Sequence, residues 1–268
     1  MNASERHQRI LELMQLHYSV TNEHLQREFD VTKETIRKDL NSLAEKGLIV
    51  RTFGGAILRK DEYDPSIEQR TTSNLEEKRE IAKAAFHLIQ PNDVIATDSG
   101  STTLELANLI TGKEELVVLT NSLKVLNVLA KRAGITAIGT GGILRARSLS
   151  FQGAAAESTV CTYNIRKAFI SAKAFHMDNG IMDSNEEEAA VKRAMLKNAQ
   201  ETTLLMDHTK FTRMAHVTIC PINGVHRIIT SALADALIVH RIRQAGIEVL
   251  TVPFACNASE SNPQLNGD

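Results

Sequence analysis

From Glu76 onwards the chain alternates between short apolar runs and longer stretches with apolar residues at helical spacing. The predicted strands cover residues 94–97, 116–120, 136–139, 168–171, 203–206, 227–230 and 248–252. The predicted helices cover residues 78–88, 102–111, 122–132, 187–200 and 232–245. Strands joined through helices run parallel, and the helices then cover the faces of the sheet. This alternation predicts an α/β domain with a mainly parallel sheet over residues 76–253.

The N-terminal segment follows a different pattern. Three stripes of apolar residues at helical spacing predict three short helices. Thr21 and Thr32 stand at the N-cap positions of the second and third helices, and Gly47 stands where the third one ends. Two short apolar strands then flank Gly54 and Gly55, a pattern typical of a β-hairpin. Three helices followed by a hairpin predict a winged helix-turn-helix domain over residues 1–59.

The polar stretches between and after these domains are predicted to be irregular. Residues 60–75 are polar and include Pro65, so we predict a linker there. Residues 254–268 have the composition of a flexible tail. The formal net charge of the whole chain is only −1. Because proteins that coat nucleic acid non-specifically are usually strongly basic, any DNA contact must be confined to a local patch.

Cysteine content and hydropathy argue against several other classes of protein. Cys161, Cys220 and Cys256 are far apart, which disfavours a disulfide framework or a zinc site. We therefore expect neither a metal nor a cofactor. The sequence has no apolar run near the roughly 20 residues that cross a bilayer, and its start lacks the apolar segment of a secretory signal. These features predict a cytoplasmic protein without a membrane partner.

The third predicted helix, residues 33–45, has the composition of a DNA recognition helix. Such a helix enters the major groove with short polar residues at its N-terminus and basic residues on its outer face. Ile36 and Leu40 are expected to face the core, which leaves polar and basic side chains outside. The candidate DNA-binding residues are Thr32, Lys33, Thr35, Arg37, Lys38, Asn41, Arg51, Gly54 and Gly55. A solvated amphipathic helix is the simpler alternative, and the following hairpin favours the DNA-binding one.

Polar turns follow three successive predicted strands of the C-terminal domain. Residues 98–103 enter a helix with hydroxyl groups beside backbone N–H groups, an arrangement that suits a phosphate. Residues 120–122 and 140–142 end the next two strands. Because parallel sheets bind ligands beyond the carboxyl ends of their strands, these turns are expected to line one crevice. Ser and Thr before a helix are often caps and nothing more, so each turn taken singly has a structural explanation.

The run VTKETIRKDLNSLAEKGLIVRTFGGAIL, residues 31–58, resembles the DeoR family of bacterial repressors. The family pattern combines T-x-R-x-D-L, a following L-x-x-x-G, and a basic residue before G-G. The matching residues here are Thr35, Arg37, Asp39, Leu40, Leu43, Gly47, Arg51, Gly54 and Gly55. The resemblance extends over nearly the whole chain and is closer to the sugar-alcohol and amino-sugar regulators of the family.

The resemblance also implies an effector domain similar to ribose-5-phosphate isomerase and glucosamine-6-phosphate deaminase. In that fold the D-x-G-S-T-T loop and a D-x-x-K lysine hold the phosphate of a sugar phosphate; here these are residues 98–103 and 207–210. Many members carry an acidic residue in a G-x-D-G stretch, where this chain has Lys173. The candidate effector-binding residues are Asp98, Gly100, Ser101, Thr102, Thr103, Thr120, Asn121, Ser122, Gly141, Gly142, Gln152, Gly153, Lys173, Asn185, Glu186 and Lys210.

These features together predict a homo-oligomeric repressor of a sugar or sugar-alcohol catabolic operon, released from double-stranded operator DNA by a phosphorylated sugar. A sugar-phosphate isomerase or deaminase is the main alternative. It would need a positioned carboxylate to move a proton, and the acidic loop of such isomerases is missing. Glu186 to Glu188 open a predicted helix, where acidic residues usually balance the helix dipole. A DNA-architectural or protein-interaction module is disfavoured by the neutral charge and the ligand-like loops.

Overall fold

The computed structural model describes residues 2–17, 19–58, 64–112 and 115–254. We call the described residues up to 58 the head and those from 64 onwards the body. Each has its own hydrophobic core. Every described helix is too short or too polar to span a bilayer.

The head contains three helices and a three-stranded antiparallel sheet. Its elements are α1 (Ala3–His17), β1 (Ser19–Thr21), α2 (Asn22–Phe29), α3 (Lys33–Glu45), β2 (Ile49–Thr52) and β3 (Gly55–Leu58). The sheet order is β1-β3-β2. Thr21 and Thr32 cap α2 and α3 as predicted, because their Oγ1 atoms accept from the backbone N–H of His24 and Thr35. The winged helix-turn-helix is therefore confirmed, whereas the short strand β1 was not predicted.

The wing turn depends on two glycines for different reasons. Gly54 has φ +98°, which favours glycine, and its surroundings are open. Gly55 is buried where β3 pairs with β1, and a Cβ there would lie 2.0 Å from the carbonyl oxygen of Val20. Gly55 thus permits the close approach of β1 to β3.

The body is built on a seven-stranded sheet in which every neighbouring pair is parallel. Its strands are β4 (Val94–Thr97), β5 (Val117–Thr120), β6 (Thr136–Gly139), β9 (Ile165–Ser171), β12 (Ala199–Leu205), β14 (Arg227–Ser231) and β15 (Glu248–Val252). The order across the sheet is β15-β14-β12-β9-β4-β5-β6. The predicted parallel α/β architecture is confirmed, and all seven predicted strands are present with small shifts in their ends.

Helices cover both faces of this sheet. Ile81, Leu106 and Val125 pack on one face from α5 (Leu75–Phe86), α6 (Ser101–Leu109) and α7 (Leu123–Leu129). The other face is covered by α8 (Ala154–Cys161), α9 (Glu186–Asn198) and α10 (Ala236–Gln244), through residues such as Val160 and Met195. Ile95 and Ala96 of β4 belong to different cores, as expected for consecutive residues of a strand buried on both sides.

Short antiparallel strands lie outside the main sheet and were not predicted. The hairpin β7 (Ile143–Arg145) and β8 (Ser150–Gln152) precedes α8. A three-stranded sheet is formed by β10 (Ala174–His176), β11 (Gly180–Asp183) and β13 (Val217–Cys220). β7 and β8, like β10 and β11, follow one another in antiparallel pairs without a helix between them. They therefore fall outside the alternation of strands and helices that revealed the main sheet.

The structure differs from the predicted linker over residues 60–75 in its second half. Residues 60–63 lie outside the described residues. Ser66 begins α4 (Ile67–Thr72) with a capping box formed with Gln69, and Ile67 is buried. Asp64 is also buried and forms ion pairs with the body, so part of the polarity of the segment comes from buried charge. The predicted tail lies outside the described residues except for Phe254.

Candidate functional site

The outer face of α3 presents the basic residues that the sequence assigned to DNA. Lys33, Arg37 and Lys38 are exposed. The Arg37 side chain is 56% exposed and pairs with Glu34 of the preceding turn at 2.7 Å. From the wing, Arg51 Nη1 donates to the Arg37 carbonyl oxygen at 3.5 Å. The structure therefore brings the recognition helix and the wing together on one surface.

The remaining head candidates divide into caps and wing residues. Thr32 Oγ1 caps α3 and lies 3.0 Å from Thr35 Oγ1, so both hydroxyls serve the helix N-terminus. Asn41 is half-buried. Gly54 is exposed at the wing tip beside the fully exposed Phe53, whereas the buried Gly55 supports the sheet.

Asp39 of the family pattern points into the head and not towards solvent. Its carboxylate forms a salt bridge with Arg6 Nε at 2.6 Å and a contact with His7 Nε2 at 3.0 Å. These contacts attach the recognition helix to α1, which sets the angle at which α3 is presented. The sequence reasoning did not identify Arg6 or His7, because a long-range ion pair leaves no local pattern.

In the body, two of the candidate loops lie where the strand order reverses. The chain runs from β4 outwards to β5 and β6, then returns to place β9 on the other side of β4. The loops that follow β4 and β9 therefore separate, and open α/β sheets bind ligands in the crevice at such a point. We call the space at the carboxyl ends of β4 and β9 the switch-point crevice.

Asp98 follows β4 and holds the two sides of this crevice together. Its Oδ1 accepts from Gly100 N at 3.1 Å and Thr103 Oγ1 at 2.8 Å. Its Oδ2 accepts from Ser171 N at 3.0 Å and Ser171 Oγ at 2.8 Å, across the crevice on β9. With both oxygens engaged, Asp98 positions the loop, whereas the sequence placed it among the effector contacts.

A buried lysine compensates the charge of Asp98. Lys192 Nζ lies 3.0 Å from Asp98 Oδ2 and 2.5 Å from Asp183 Oδ2. Burial disfavours the charged form of Lys192, but the two carboxylates outweigh it and raise its pKa. Burial likewise opposes ionisation of Asp183, and Lys192 lowers the pKa of that carboxyl. This triad fixes α9 under the crevice and was not found in the sequence.

The loop after β4 leaves the start of α6 available to an anion. Gly100 is the N-cap of α6 and supplies no side chain to cover the first backbone N–H groups. A Cβ on Gly100 would lie 2.1 Å from Ser171 Oγ, so the close approach of β9 requires glycine. Ser101, Thr102 and Thr103 follow in the first turn, and all three are buried. This arrangement has the chemistry of a phosphate cradle.

The loop after β5 has one side chain with unused hydrogen-bonding capacity. Thr120 Oγ1 accepts from Ser122 N at 3.1 Å, and Ser122 Oγ caps α7. Asn121 Nδ2 donates to the carbonyl oxygen of Phe151 at 3.1 Å. The Asn121 Oδ1 is buried, and none of the described residues donates a hydrogen bond to it. Thr120 and Ser122 therefore shape the loop, and Asn121 is the residue that can still bind a ligand hydroxyl.

The glycines after β6 and β8 adopt backbone conformations that few other residues reach. Gly141 and Gly142 have φ +65° and +102°, and a Cβ on Gly142 would lie 2.6 Å from the Gln152 carbonyl oxygen. Gly153 has φ +86° and begins α8 without a capping side chain. The Oε1 of Gln152 is buried and has no hydrogen-bond partner.

The structure separates the two residues of the N-E element. Asn185 Oδ1 caps α9 by accepting from Glu188 N at 2.9 Å. Glu186 is exposed and pairs with Arg193 on the same helix. The buried carboxylate of this turn is Glu188, which lies 2.9 Å from Arg145 Nη1 and accepts from Ser150 Oγ. The helical spacing predicted an acidic first turn but could not show which of its acids faces inwards.

Lys173, the departure from the family pattern, has its own counter-charge. Its Nζ lies 2.9 Å from Asp64 Oδ1, and Asp64 also pairs with Arg145 and Arg147 and accepts from Ser184 Oγ. Burial opposes the ionisation of Asp64, but the neighbouring cations hold its pKa well below the usual range. Asp64 thus supplies a carboxylate beside Lys173.

Lys210 lies in a group of cations that its neighbours only partly neutralise. Burial lowers the pKa of Lys210 to about 7, Asp207 opposes this shift, and Arg213, Lys78 and Lys173 add to it. Its Nζ is 3.6 Å from Asp207 Oδ2. Burial by itself would raise the pKa of Asp207, but Lys210 and the other donors lower it to about 2. An anion entering here would stabilise the charged form of Lys210.

The loop that carries Lys210 is fixed by a carboxylate–histidine network. Glu77, Asp207 and His208 have potential metal-ligand atoms within 4.8 Å of one another. Glu77 Oε1 accepts from His208 N at 2.8 Å and Ser231 Oγ at 2.5 Å, and its Oε2 is 2.8 Å from His208 Nδ1. These hydrogen bonds attach the loop to α5 and β14.

Two family models match the chain. The DeoR-like helix-turn-helix domain matches residues 6–62, and the DeoR C terminal sensor domain matches residues 73–232. Among solved structures, ribose 5-phosphate isomerase A from Methanocaldococcus jannaschii is 16% identical with a TM-score of 0.38, over 52% of this chain and 55% of that one. The structure of eIF2B beta from Chaetomium thermophilum is 17% identical with a TM-score of 0.39, and the match covers 56% of this chain and 47% of that one. These scores are too low to support an argument, so the fold class rests on the strand order.

Several curated proteins are similar over most of the chain. YulB of Bacillus subtilis (strain 168), an uncharacterized HTH-type transcriptional regulator, is 34% identical over 95% of this chain and 99% of its own. IolR, an HTH-type transcriptional regulator of the same organism, is 32% identical over 82% of this chain and 87% of its own. The glycerol-3-phosphate regulon repressor of Escherichia coli (strain K12) is 31% identical over 87% of this chain and 92% of its own. The sensor model alone covers more than half of the sequence, and the family resemblance is confirmed: this chain belongs to the DeoR family of transcriptional regulators.

Proposed function

We propose that this protein represses a sugar or sugar-alcohol catabolic operon and that a phosphorylated sugar in the switch-point crevice releases it from operator DNA. The observation that carries the proposal is that Lys210, Lys78 and Arg213 gather around one buried carboxylate, Asp207, in the sensor domain. A phosphate dianion supplies the missing charge, and the uncapped start of α6 supplies backbone donors for its oxygens. The name of one relative, the glycerol-3-phosphate regulon repressor, is consistent with a small phosphorylated ligand.

The operator contacts are assigned to the outer face of α3 and to the wing. Lys33, Arg37 and Lys38 are exposed there, with Arg51 beside them. Cationic side chains of this kind reach phosphates or guanine edges when a recognition helix enters the major groove. The near-zero net charge of the chain restricts DNA binding to this surface, which favours specific sites over general coating of DNA.

Repression and release follow from a homo-oligomer, at least a dimer, whose heads occupy paired half-sites. Two-fold related heads match the half-sites of an operator only in one spacing and orientation. Effector binding shifts the population towards a state in which the heads no longer match. Such a regulator acts on chromosomal DNA, so we place it in the cytoplasm.

We also propose that the body has no catalytic activity. An aldose–ketose isomerase needs a carboxylate that is free to move a proton. Near the switch-point crevice, Asp98 and Asp183 pair with Lys192, and Glu188 pairs with Arg145. Carboxylates held in this way are structural anions. Ribose 5-phosphate should therefore remain unchanged on incubation with the protein.

Two substitutions with matched controls test this division of labour. Arg37→Ala should abolish binding to the DNA upstream of the protein's own operon in a gel-shift assay and leave effector binding intact. Arg9→Ala is the control, because Arg9 is equally exposed and also pairs with a glutamate one turn away, but on α1. Lys210→Ala should leave DNA binding intact and weaken the response to sugar phosphates, and the exposed Lys83→Ala should change neither.

The opposite pattern would contradict the proposal. Operator binding by Arg37→Ala at wild-type affinity would remove α3 from the DNA interface. An unchanged effector response in Lys210→Ala would remove the phosphate assignment. Turnover of ribose 5-phosphate without DNA binding would replace the regulator with an enzyme.

A further inference from the structure

Arg70 on α4 has a buried hydrogen-bond donor that the effector site described so far does not use. The residue is 8% exposed, and its Nε donates to the Pro65 carbonyl oxygen at 3.2 Å. Its Nη2 is buried and has no hydrogen-bond partner among the residues that the structure describes. A buried guanidinium N–H without an acceptor costs free energy, because the water it loses is not replaced. No described residue supplies an acceptor to this donor.

The surroundings of Arg70 connect it to the proposed phosphate site. Helix α4 packs against α6, whose N-terminus forms the phosphate cradle. Lys78 Nζ donates to the Arg70 carbonyl oxygen at 2.5 Å. Asn74 Nδ2 donates to Asp207 Oδ1 at 3.3 Å, which attaches the same stretch of chain to the loop of Lys210. Burial is the main cause that lowers the pKa of Lys173, and the positive charge of Arg70 is the next. Arg70 and Lys173 are therefore close enough for their charges to interact.

The carboxylates nearest to this group already bind other donors. Asp64 accepts from Lys173, Arg145 and Ser184. Asp207 accepts from Asn74 and Thr209 and lies beside Lys210. Their hydrogen bonds leave the Nη2 of Arg70 without an acceptor, and an incoming oxyanion can supply one.

We propose that Arg70 is a direct ligand of the effector's phosphate group, with its Nη2 donating to a phosphate oxygen. The inference rests on the proposed effector site and adds a residue that lies outside the motifs assigned to phosphate. Arg–phosphate hydrogen bonds are charge-assisted and directional, which suits a buried guanidinium already fixed through its Nε. Residues 64–72 are the first described part of the chain after the head. Through Arg70, the phosphate contacts the segment that leads from the head to the body.

Calorimetric titration of the full-length protein with inorganic phosphate, at pH 7 and constant ionic strength, tests this assignment. Arg70→Gln should bind phosphate about tenfold to a hundredfold more weakly than the wild type, the range expected for a charged hydrogen bond. Arg70→Lys should recover part of the affinity, because it keeps the charge but not the Nη2 position. The control is Arg79→Gln on the neighbouring α5, where the same charge is lost from an exposed arginine paired with Glu76. Thermal melts without phosphate confirm that each variant folds.

The outcomes separate this inference from the proposed function. Wild-type affinity in Arg70→Gln, together with lost affinity in Lys210→Ala, would overturn the role of Arg70 and leave the phosphate site in place. Wild-type protein that binds no phosphate would contradict both. Should Arg70→Gln fail to fold, Arg70→Lys decides the question, since phosphate binding equal to the wild type would show that Nη2 makes no contact.

Discussion

Lys210 should make the affinity for the effector fall as the pH rises above 7, and Lys210→Arg should remove this pH dependence. Its pKa is about 7 in the ligand-free protein, because burial disfavours its charge. At pH 7 about half of the molecules carry the charged lysine, and at pH 8 only about a tenth do. If the bound anion holds Lys210 protonated, affinity should fall about fivefold between pH 7 and 8 and about tenfold more between pH 8 and 9.

Titration calorimetry with sulfate measures this effect, because sulfate remains a dianion across the range and only the protein titrates. Lys210→Arg is the matched variant, since arginine stays charged throughout. Its affinity for sulfate should be nearly independent of pH. A flat profile in the wild type, or the same decline in Lys210→Arg, would refute the assignment of the pH dependence to Lys210.

The same group makes the stability of the ligand-free protein depend on pH. In the unfolded chain the pKa of Lys210 returns to its ordinary value of 10.5. Between pH 7 and 10.5 the unfolded chain therefore binds more protons than the folded one, so this lysine makes the free energy of unfolding rise with pH. Saturating sulfate raises the folded-state pKa and should flatten that rise, which denaturant titrations at several pH values can detect.

Three further substitutions test the structural roles assigned above. Asp39→Ala removes the carboxylate that forms a salt bridge with the buried Arg6 and should lower the free energy of unfolding of the head by about 3–5 kcal/mol. A melt that matches the wild type would show that this salt bridge does not anchor α3. Gly100→Ala places a Cβ against Ser171 and should destabilise the body by about 1–3 kcal/mol. The double variant Gly100→Ala/Ser171→Gly should recover stability. A neutral single variant would show that the loop can move freely. Asp64→Ala removes a counter-charge from Lys173 and Arg145, although Arg145 keeps its pair with Glu188. It should lower the melting temperature and strengthen sulfate binding several-fold. Unchanged sulfate affinity would place those cations outside the crevice.

The fold was predictable because its signals are local and periodic. Strands β4, β6 and β15 match their predicted bounds, and α3 begins at the predicted cap and ends before Gly47. Gly47 has φ +75°, and its N–H bonds to the Ala44 carbonyl oxygen, as a helix-ending glycine should. Such features depend on residues within a few positions of one another, and composition and spacing reveal them.

The site was predictable as a set of loops but not as a set of contacts. Asp98 and Asn185 occupy the expected loops, yet their side chains serve the protein's own backbone and neighbouring residues. Lys192, Glu188 and Asp64 were missed because their partners lie on other elements, as in the pairs Lys192–Asp98 and Lys173–Asp64. A sequence shows which polar residues follow a strand, whereas only the tertiary arrangement shows which of them retain a free donor or acceptor.

In the proposed mechanism, the head binds DNA while the body senses a phosphorylated metabolite. Fluorescence anisotropy can follow binding of the protein to labelled DNA from upstream of its own operon. The complex is then titrated with a panel of sugar phosphates and with the same sugars without phosphate. We predict that the protein binds this DNA and that at least one phosphorylated compound releases it, while its unphosphorylated counterpart does not. Equal release by both forms, or no binding of the DNA in the absence of ligand, would contradict the account.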